Sequence, residues 1–156
     1  MNEVTQIAAA ITLIAAVPGY QQAAGDLQRA AIHIDSRLVD RGRASLRGVI
    51  TLGPEPFAGP EPEALVGLAA TLVHEHWHTR QNPFRKTASF WRGVVTRAHP
   101  MRDYEWPAYQ RQAAFLRALA TARPDLRAAA ERERAAVLAT FQAVYGAPPP
   151  GPGRKG

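Results

Sequence analysis

The sequence predicts an α+β protein in which a small sheet of two to three strands packs on a mostly helical body. Two short segments have the character of strands: residues 32–35 alternate apolar and polar side chains, and residues 46–52 are rich in β-branched and apolar residues. Longer segments without breakers flank them and have the character of helices. A length of 156 residues suits one domain. We therefore expect a single domain over residues 1–146 and a flexible Pro/Gly tail over residues 147–156.

The segment before the strands predicts two helices. Asn2 is a suitable N-cap for a helix that contains the apolar run 7–17, and Pro18-Gly19 ends it. A second helix is predicted over residues 20–31. Between the two strands, residues 41–43 (Arg-Gly-Arg) predict a turn.

After the strands, the prolines and glycines of residues 53–62 predict a rigid loop. The chain beyond it is predicted to be mostly helical, with a basic connection over residues 84–100 that contains one short helix. Asn82-Pro83 ends the first of these helices, Asp103 caps the third and Gly146 ends the last. The predicted helices run over 61–80, 89–97, 103–122 and 124–145.

Composition excludes several classes of protein. The chain has no cysteine, which rules out a disulfide scaffold and any thiolate site. Its net charge is +6, with −3 over residues 1–78 and +9 over residues 79–156. These basic residues are dispersed and form no nucleic-acid-binding motif, so we do not expect nucleic acid as a partner. The basic, aromatic segment 79–102 could be a flap over a cleft, a nucleic-acid surface or a solvated loop anchored by its aromatic residues.

The apolar run 7–17 is too short to span a bilayer, which takes about 20 apolar residues. The preceding residues 1–6 contain no lysine or arginine, so the segment is a poor signal peptide. We expect a cytoplasmic protein without a membrane partner, and secretion by an atypical signal stays open.

The pattern His74-Glu75-x-x-His78 carries the strongest chemical signal. On a helix, His74 and His78 lie about 40° apart, one turn from each other, so both imidazoles can reach one metal ion. Glu75 points about 100° away from His74, where it cannot easily be a ligand but can reach a metal-bound water. Two imidazoles and an adjacent carboxylate base are what hydrolytic zinc chemistry requires.

A catalytic zinc site needs a third protein ligand. We favour Glu105 from the next long helix, because the small Ala108 one turn later lets that helix approach the ion. Asp103 and His99 are the main alternatives, and His33 is a further one. His76 projects to the other side of the helix and cannot share the ion.

The segment His74–His78 (HEHWH), followed by the helical segment Tyr104–Tyr109 (YEWPAY), resembles the gluzincin branch of the zincin metallopeptidases, over residues 45–122. In its small size the chain is similar to the minigluzincins. The resemblance implies a zincin-like fold with a central HExxH helix. It also implies that the strand Val49–Leu52 borders the cleft and pairs with an extended substrate. Tyr109 stands where some gluzincins carry an acidic residue, which is a departure.

The resemblance implies that His74, His78 and Glu105 hold Zn²⁺ and that Glu75 is the general base and acid. The predicted function is a zinc metalloendopeptidase that hydrolyses peptide bonds through a zinc-activated water. Its partner would be a peptide or protein substrate. The alternative is a zinc-binding regulatory module of zincin fold with little or no proteolysis.

Two further roles are predicted near the ion. The oxyanion needs a second electrophile, for which we favour Tyr109 among four candidates. Asp103 is a candidate for orienting one ligand imidazole through its other nitrogen. The other three candidates for the oxyanion are Tyr104, His99 and Arg102.

Overall fold

The structure, a computed structural model, describes residues 2–45, 47–81, 83–96 and 98–149. Within these ranges the chain forms a mixed α+β fold that is mostly helical, with one small sheet. The helices are α1 (Glu3–Ala15), α2 (Gln21–Arg29), α3 (Glu63–Arg80), α4 (Pro83–Thr96), α5 (Arg102–Ala122) and α6 (Arg127–Tyr145), and the strands are β1 (Ile32–Ile34), β2 (Gly42–Ala44) and β3 (Ile50–Leu52).

Some predictions concern residues outside these ranges. They are the start of the second strand at Leu46, the helix end at Asn82, the end of a short helix at Arg97 and the tail from residue 150 onward.

Helix α3 is the centre of the core. Every residue from Val66 to Val73 is buried, and α1, α2, α5, α6 and β2 all pack against this helix. A helix that is apolar on all sides is stable only when neighbours cover it. Burying a side chain such as Leu68 or Leu72 contributes about 1.5–3 kcal/mol. The HExxH segment therefore lies in the last turns of a helix whose preceding residues are buried in the core.

The first two helices form a hairpin. The Asn2 side chain accepts a hydrogen bond from the Thr5 backbone N–H at 2.9 Å and caps α1, as predicted. The chain turns at Gly19, whose φ of 83° suits glycine. Both helices then pack against α3.

The sheet has the order β1-β3-β2. β3 is central and runs parallel to β1 and antiparallel to β2. The prediction of a turn at residues 41–43 was wrong, because Gly42–Ala44 forms β2. This segment lacks a local strand signal, and its conformation comes from pairing with β3 and packing on α3.

Two predictions about the later helices were also wrong. Helix α4 begins at Pro83 and not near Ser89, since proline is well suited to the first helical position. Asp103 does not cap α5, which begins at Arg102. The Ser89 hydroxyl of α4 instead accepts a hydrogen bond from the Tyr104 backbone N–H at 3.1 Å.

The last helix is close to its predicted range, 124–145. A 3-10 turn, Pro124–Leu126, leads into α6, and Gly146 with φ of 80° ends that helix. Among the described residues, no helix combines the length and apolar character needed to cross a bilayer.

Asp26 of α2 contacts α3, so a change at this residue tests how the two helices hold together. Its carboxylate is hydrogen-bonded to His76 at 3.0 Å and pairs with Arg29 and Arg80. The hydrogen bond with His76 is the main factor that lowers the pKa of Asp26 below 3.8. A carboxyl group whose pKa is lower in the folded than in the unfolded protein stabilises the fold at any pH above its unfolded pKa. This stabilisation is lost as the pH falls through the pKa of the folded state.

We predict that Asp26→Asn lowers the melting temperature at pH 7, and that the difference from wild type shrinks as the pH falls below 3.8. Thermal unfolding followed by circular dichroism across this range measures the effect. Glu131→Gln, at an exposed position of α6, is the control. An equal difference at every pH would show that the charge of Asp26 is not responsible.

Candidate metal centre

The two histidines of the HExxH segment face each other at the end of α3. Their Nε2 atoms are 3.1 Å apart and their ring centroids 4.8 Å apart. The side chains are 12% and 9% exposed, so both rings are held in the interior. One helical turn separates His74 from His78, and this local geometry is sufficient to bring the two nitrogens together.

Glu105 reaches the same point from α5. Its Oε2 atom lies 3.1 Å from Nε2 of His78 and 3.4 Å from Nε2 of His74. Ala108, one turn further along α5, is completely buried where the helices pack. The structure thus brings the favoured third residue to the two histidines.

These three atoms have the separations that one metal ion needs. In a tetrahedral zinc site with bonds of 2.0–2.1 Å, ligand atoms lie about 3.3 Å apart. The observed 3.1, 3.1 and 3.4 Å are close to this value. His74, His78 and Glu105 could therefore hold a metal ion.

The other proposed ligands lie elsewhere. Asp103 pairs with Arg92 and Arg102. The ring of His99 packs against Tyr145, and His33 is exposed on β1. His76 is bound to Asp26, which agrees with its predicted orientation away from the ion.

Each ligand imidazole is held at its second nitrogen by a glutamine. The Oε1 atom of Gln112 lies 3.1 Å from Nδ1 of His74, and that of Gln81 lies 2.7 Å from Nδ1 of His78. The prediction that Asp103 orients a ligand was wrong, because arginines engage its carboxylate. Gln112 follows Glu105 by two helical turns and therefore lies on the same face of α5. This spacing could have identified Gln112 as a neighbour of the ligand histidines from the sequence.

Electrostatics couple the three ligand side chains. Burial alone would raise the pKa of Glu105, but its hydrogen bonds with His74 and His78 outweigh burial and lower it to about 2. Burial alone would lower the pKa of His78, but the hydrogen bond and charge of Glu105 raise it. Without an ion, the group is held as a hydrogen-bonded acid–base cluster.

Glu75 lies under the edge strand β2. Its side chain is buried, and burial raises its pKa, although the nearby charges of His74 and His78 act in the opposite direction. A hydrogen bond with the backbone of Ala44 also holds it. A Cβ atom at Gly42 would come within 2.9 Å of the Glu75 Cγ, so glycine allows the strand to pack directly on this carboxylate.

A cavity of about 540 Å³ opens over this group. One wall is β2 and the residues before it, and the opposite wall comes from α5 and α6. Lys86 of α4 lies at the side, so the segment 79–102 contributes to the cavity.

Three tyrosines line the cavity, including the predicted Tyr109. The ring of Tyr109 meets His74 edge-on at 4.9 Å, and Tyr104 stacks on His78 at 5.0 Å. Burial and the charge of Glu105 raise the pKa of Tyr109 to about 12, so its hydroxyl remains a hydrogen-bond donor at neutral pH.

The third tyrosine, Tyr145 at the end of α6, was not predicted. Burial and the charge of Glu105 raise its pKa as well. Trp106 of early α5 contacts Phe141 of late α6, so these helices pack antiparallel and bring Tyr145 to the start of α5. A prediction that the last two helices pack antiparallel would have placed Tyr145 near the start of α5, and so near the site.

The strand that borders the cavity differs from the prediction. We expected Val49–Leu52 there, but β3 is central and paired on both sides. β2 lines the cavity instead, and no further strand pairs with its outer edge among the described residues. The prediction failed because β2 had no recognisable strand pattern.

Comparison with known proteins yields no relative: no protein-family model, curated protein or solved structure matches the chain.

We predict that the purified protein binds one Zn²⁺ per chain, and that His78→Ala and Glu105→Ala each abolish stoichiometric uptake. Zinc at 100 times its Kd should raise the free energy of unfolding by about 2.7 kcal/mol. Elemental analysis and thermal unfolding with and without zinc measure these effects. His33→Ala is the control, and uptake that survives in both ligand variants would rule out this site.

Proposed function

We propose that the protein is a zinc-dependent peptidase. The observation that carries the proposal is the convergence of His74, His78 and Glu105 beside a buried carboxylate, Glu75, in one cavity. Two imidazoles and one carboxylate are a known donor set of catalytic zinc sites. Three protein ligands leave one coordination position open for water or substrate, as hydrolysis requires.

Zinc, when bound, supplies a Lewis acid that lowers the pKa of water toward neutrality and polarises a carbonyl group. The task of Glu75 would be to take a proton from the attacking water and return it to the leaving amine. Burial supports this role because it raises the pKa of Glu75 toward the working pH, which favours a general base. The cover of β2 limits the movement of this carboxylate.

Tyr109 would donate a hydrogen bond to the oxygen that becomes negative as the carbonyl is attacked. Its ring lines the cavity against His74, and its raised pKa keeps the phenol protonated. A donor held in place before the reaction stabilises such charge without reorganisation.

The edge of β2 would bind the substrate in extended form. This strand lines the cavity above Glu75, and an extended peptide can add to an open strand edge through main-chain hydrogen bonds. Such binding explains how a small protein could recognise a peptide without a separate specificity domain.

Replacing Glu75 with Gln tests the proposal. The change keeps the size of the side chain but removes the base, so turnover of a fluorescence-quenched unfolded protein should fall by about 10²- to 10⁴-fold. Zinc content should stay at one per chain, and Glu131→Gln should behave as wild type. The chelator-treated wild-type protein should be inactive and recover with zinc.

Equal turnover by Glu75→Gln and wild type would overturn the assignment of the base. Stoichiometric zinc without hydrolysis of any member of a broad peptide library would overturn the peptidase and favour the zinc-binding module.

The packing of β2 on Glu75 gives a second test. In Gly42→Ala, the added Cβ would lie 2.9 Å from the Glu75 Cγ and push the carboxylate aside. A displacement of this order should reduce kcat/KM by up to about 10²-fold while zinc affinity changes little. Gly25→Ala in α2 is the control, because its added Cβ would lie at an ordinary contact distance of 3.6 Å from the Arg29 guanidinium. Unchanged activity in Gly42→Ala would contradict this account of the strand.

A further inference from the structure

We infer that Gln81 and Gln112 are positioning residues that hold the two ligand imidazoles so that both Nε2 atoms face the ion. The inference rests on the metal site of the proposed function, but not on peptidase activity. It assigns one glutamine to each imidazole, from two different parts of the chain.

Gln81 lies immediately after α3 and is held at both ends of its amide. Its Oε1 atom is 2.7 Å from Nδ1 of His78, and its Nε2 donates a hydrogen bond to the Tyr104 carbonyl oxygen at 3.1 Å. Because the NH₂ group is engaged by a carbonyl, the oxygen is the end that faces His78. An amide oxygen only accepts, so Nδ1 must carry the hydrogen and Nε2 is left for the ion.

Gln112 acts in the same way from α5. It is 5% exposed, and its Oε1 atom lies 3.1 Å from Nδ1 of His74. Because Glu105 and Gln112 are two turns apart on one helix, α5 supplies both a ligand and the support of the opposite ligand. A shift of α5 would therefore move both.

Both positioning groups are neutral, and this matters for the charge of the site. The carboxylates of Glu75 and Glu105 already lie beside the two imidazoles, and Asp40, Arg41, Arg43 and Lys86 also line the cavity. Two carboxylates in place of the glutamines would add two negative charges next to the imidazoles. An amide also does not titrate, so its hold on the imidazole does not change with pH.

The test compares zinc dissociation constants of the full-length protein, measured by competition with a chromophoric chelator. Gln81→Met and Gln112→Met keep similar side-chain volume but remove the acceptor, and each should weaken zinc binding about 10- to 100-fold. Gln112→Glu keeps an acceptor and should bind zinc at least as tightly as wild type. Gln110→Met, at an exposed position of the same helix, is the matched control.

A second readout separates positioning from a general loss of stability. In the proton NMR spectrum of the zinc-loaded protein, each hydrogen-bonded Nδ1–H should give a strongly downfield signal. Gln81→Met should remove or shift the signal of His78, and Gln112→Met that of His74. Thermal unfolding of the metal-free variants identifies any that fail to fold.

The inference is overturned if the folded methionine variants bind zinc as tightly as wild type, or if both signals persist unchanged. It stands if affinity falls as expected, even where no peptide is hydrolysed. Zinc binding that depends on the glutamines, without any peptide hydrolysis, would contradict the proposed peptidase but not this inference. A failure of the inference and a failure of the proposed function are therefore distinguishable.

Discussion

The site depends on one buried contact, that of the Glu105 carboxylate with two imidazoles of another helix. A buried carboxylate is costly unless it is paired and hydrogen-bonded. The low pKa of Glu105, about 2, reflects how strongly His74 and His78 compensate that cost. The same contact joins α5 to α3, so it contributes both to the packing of these helices and to the geometry of the candidate metal centre.

Ion pairs of the residue that precedes β2 hold the strand over Glu75. Arg41, just before β2, pairs with Glu55 and with Glu133 of α6. Gly67 of α3 allows this, because a Cβ atom there would lie 2.8 Å from the Arg41 guanidinium. A glycine in the central helix thus leaves room for an ion pair that fixes the approach of β2 to the proposed base.

Features that depend on the local geometry of one helix could be predicted from the sequence. Features that depend on tertiary contacts could not. His74 and His78 were predictable because they lie one helical turn apart. Glu105 was predictable because it stands early in the next long helix and the small Ala108 follows it by one turn. Gly42 gave no sign of a strand, since its conformation depends on β3 and α3. Asp103 looked like a helix cap, but Ser89 of another helix takes that role.

The end of α6 has a practical consequence for handling this protein. Tyr145 lines the cavity, and the chain continues from there through Gly146. A linker or tag that replaced the chain after Gly146 would therefore begin beside the cavity. Attachment to a resin or sensor chip through a linker placed at Gly146 would bring the support close to this wall of the cavity.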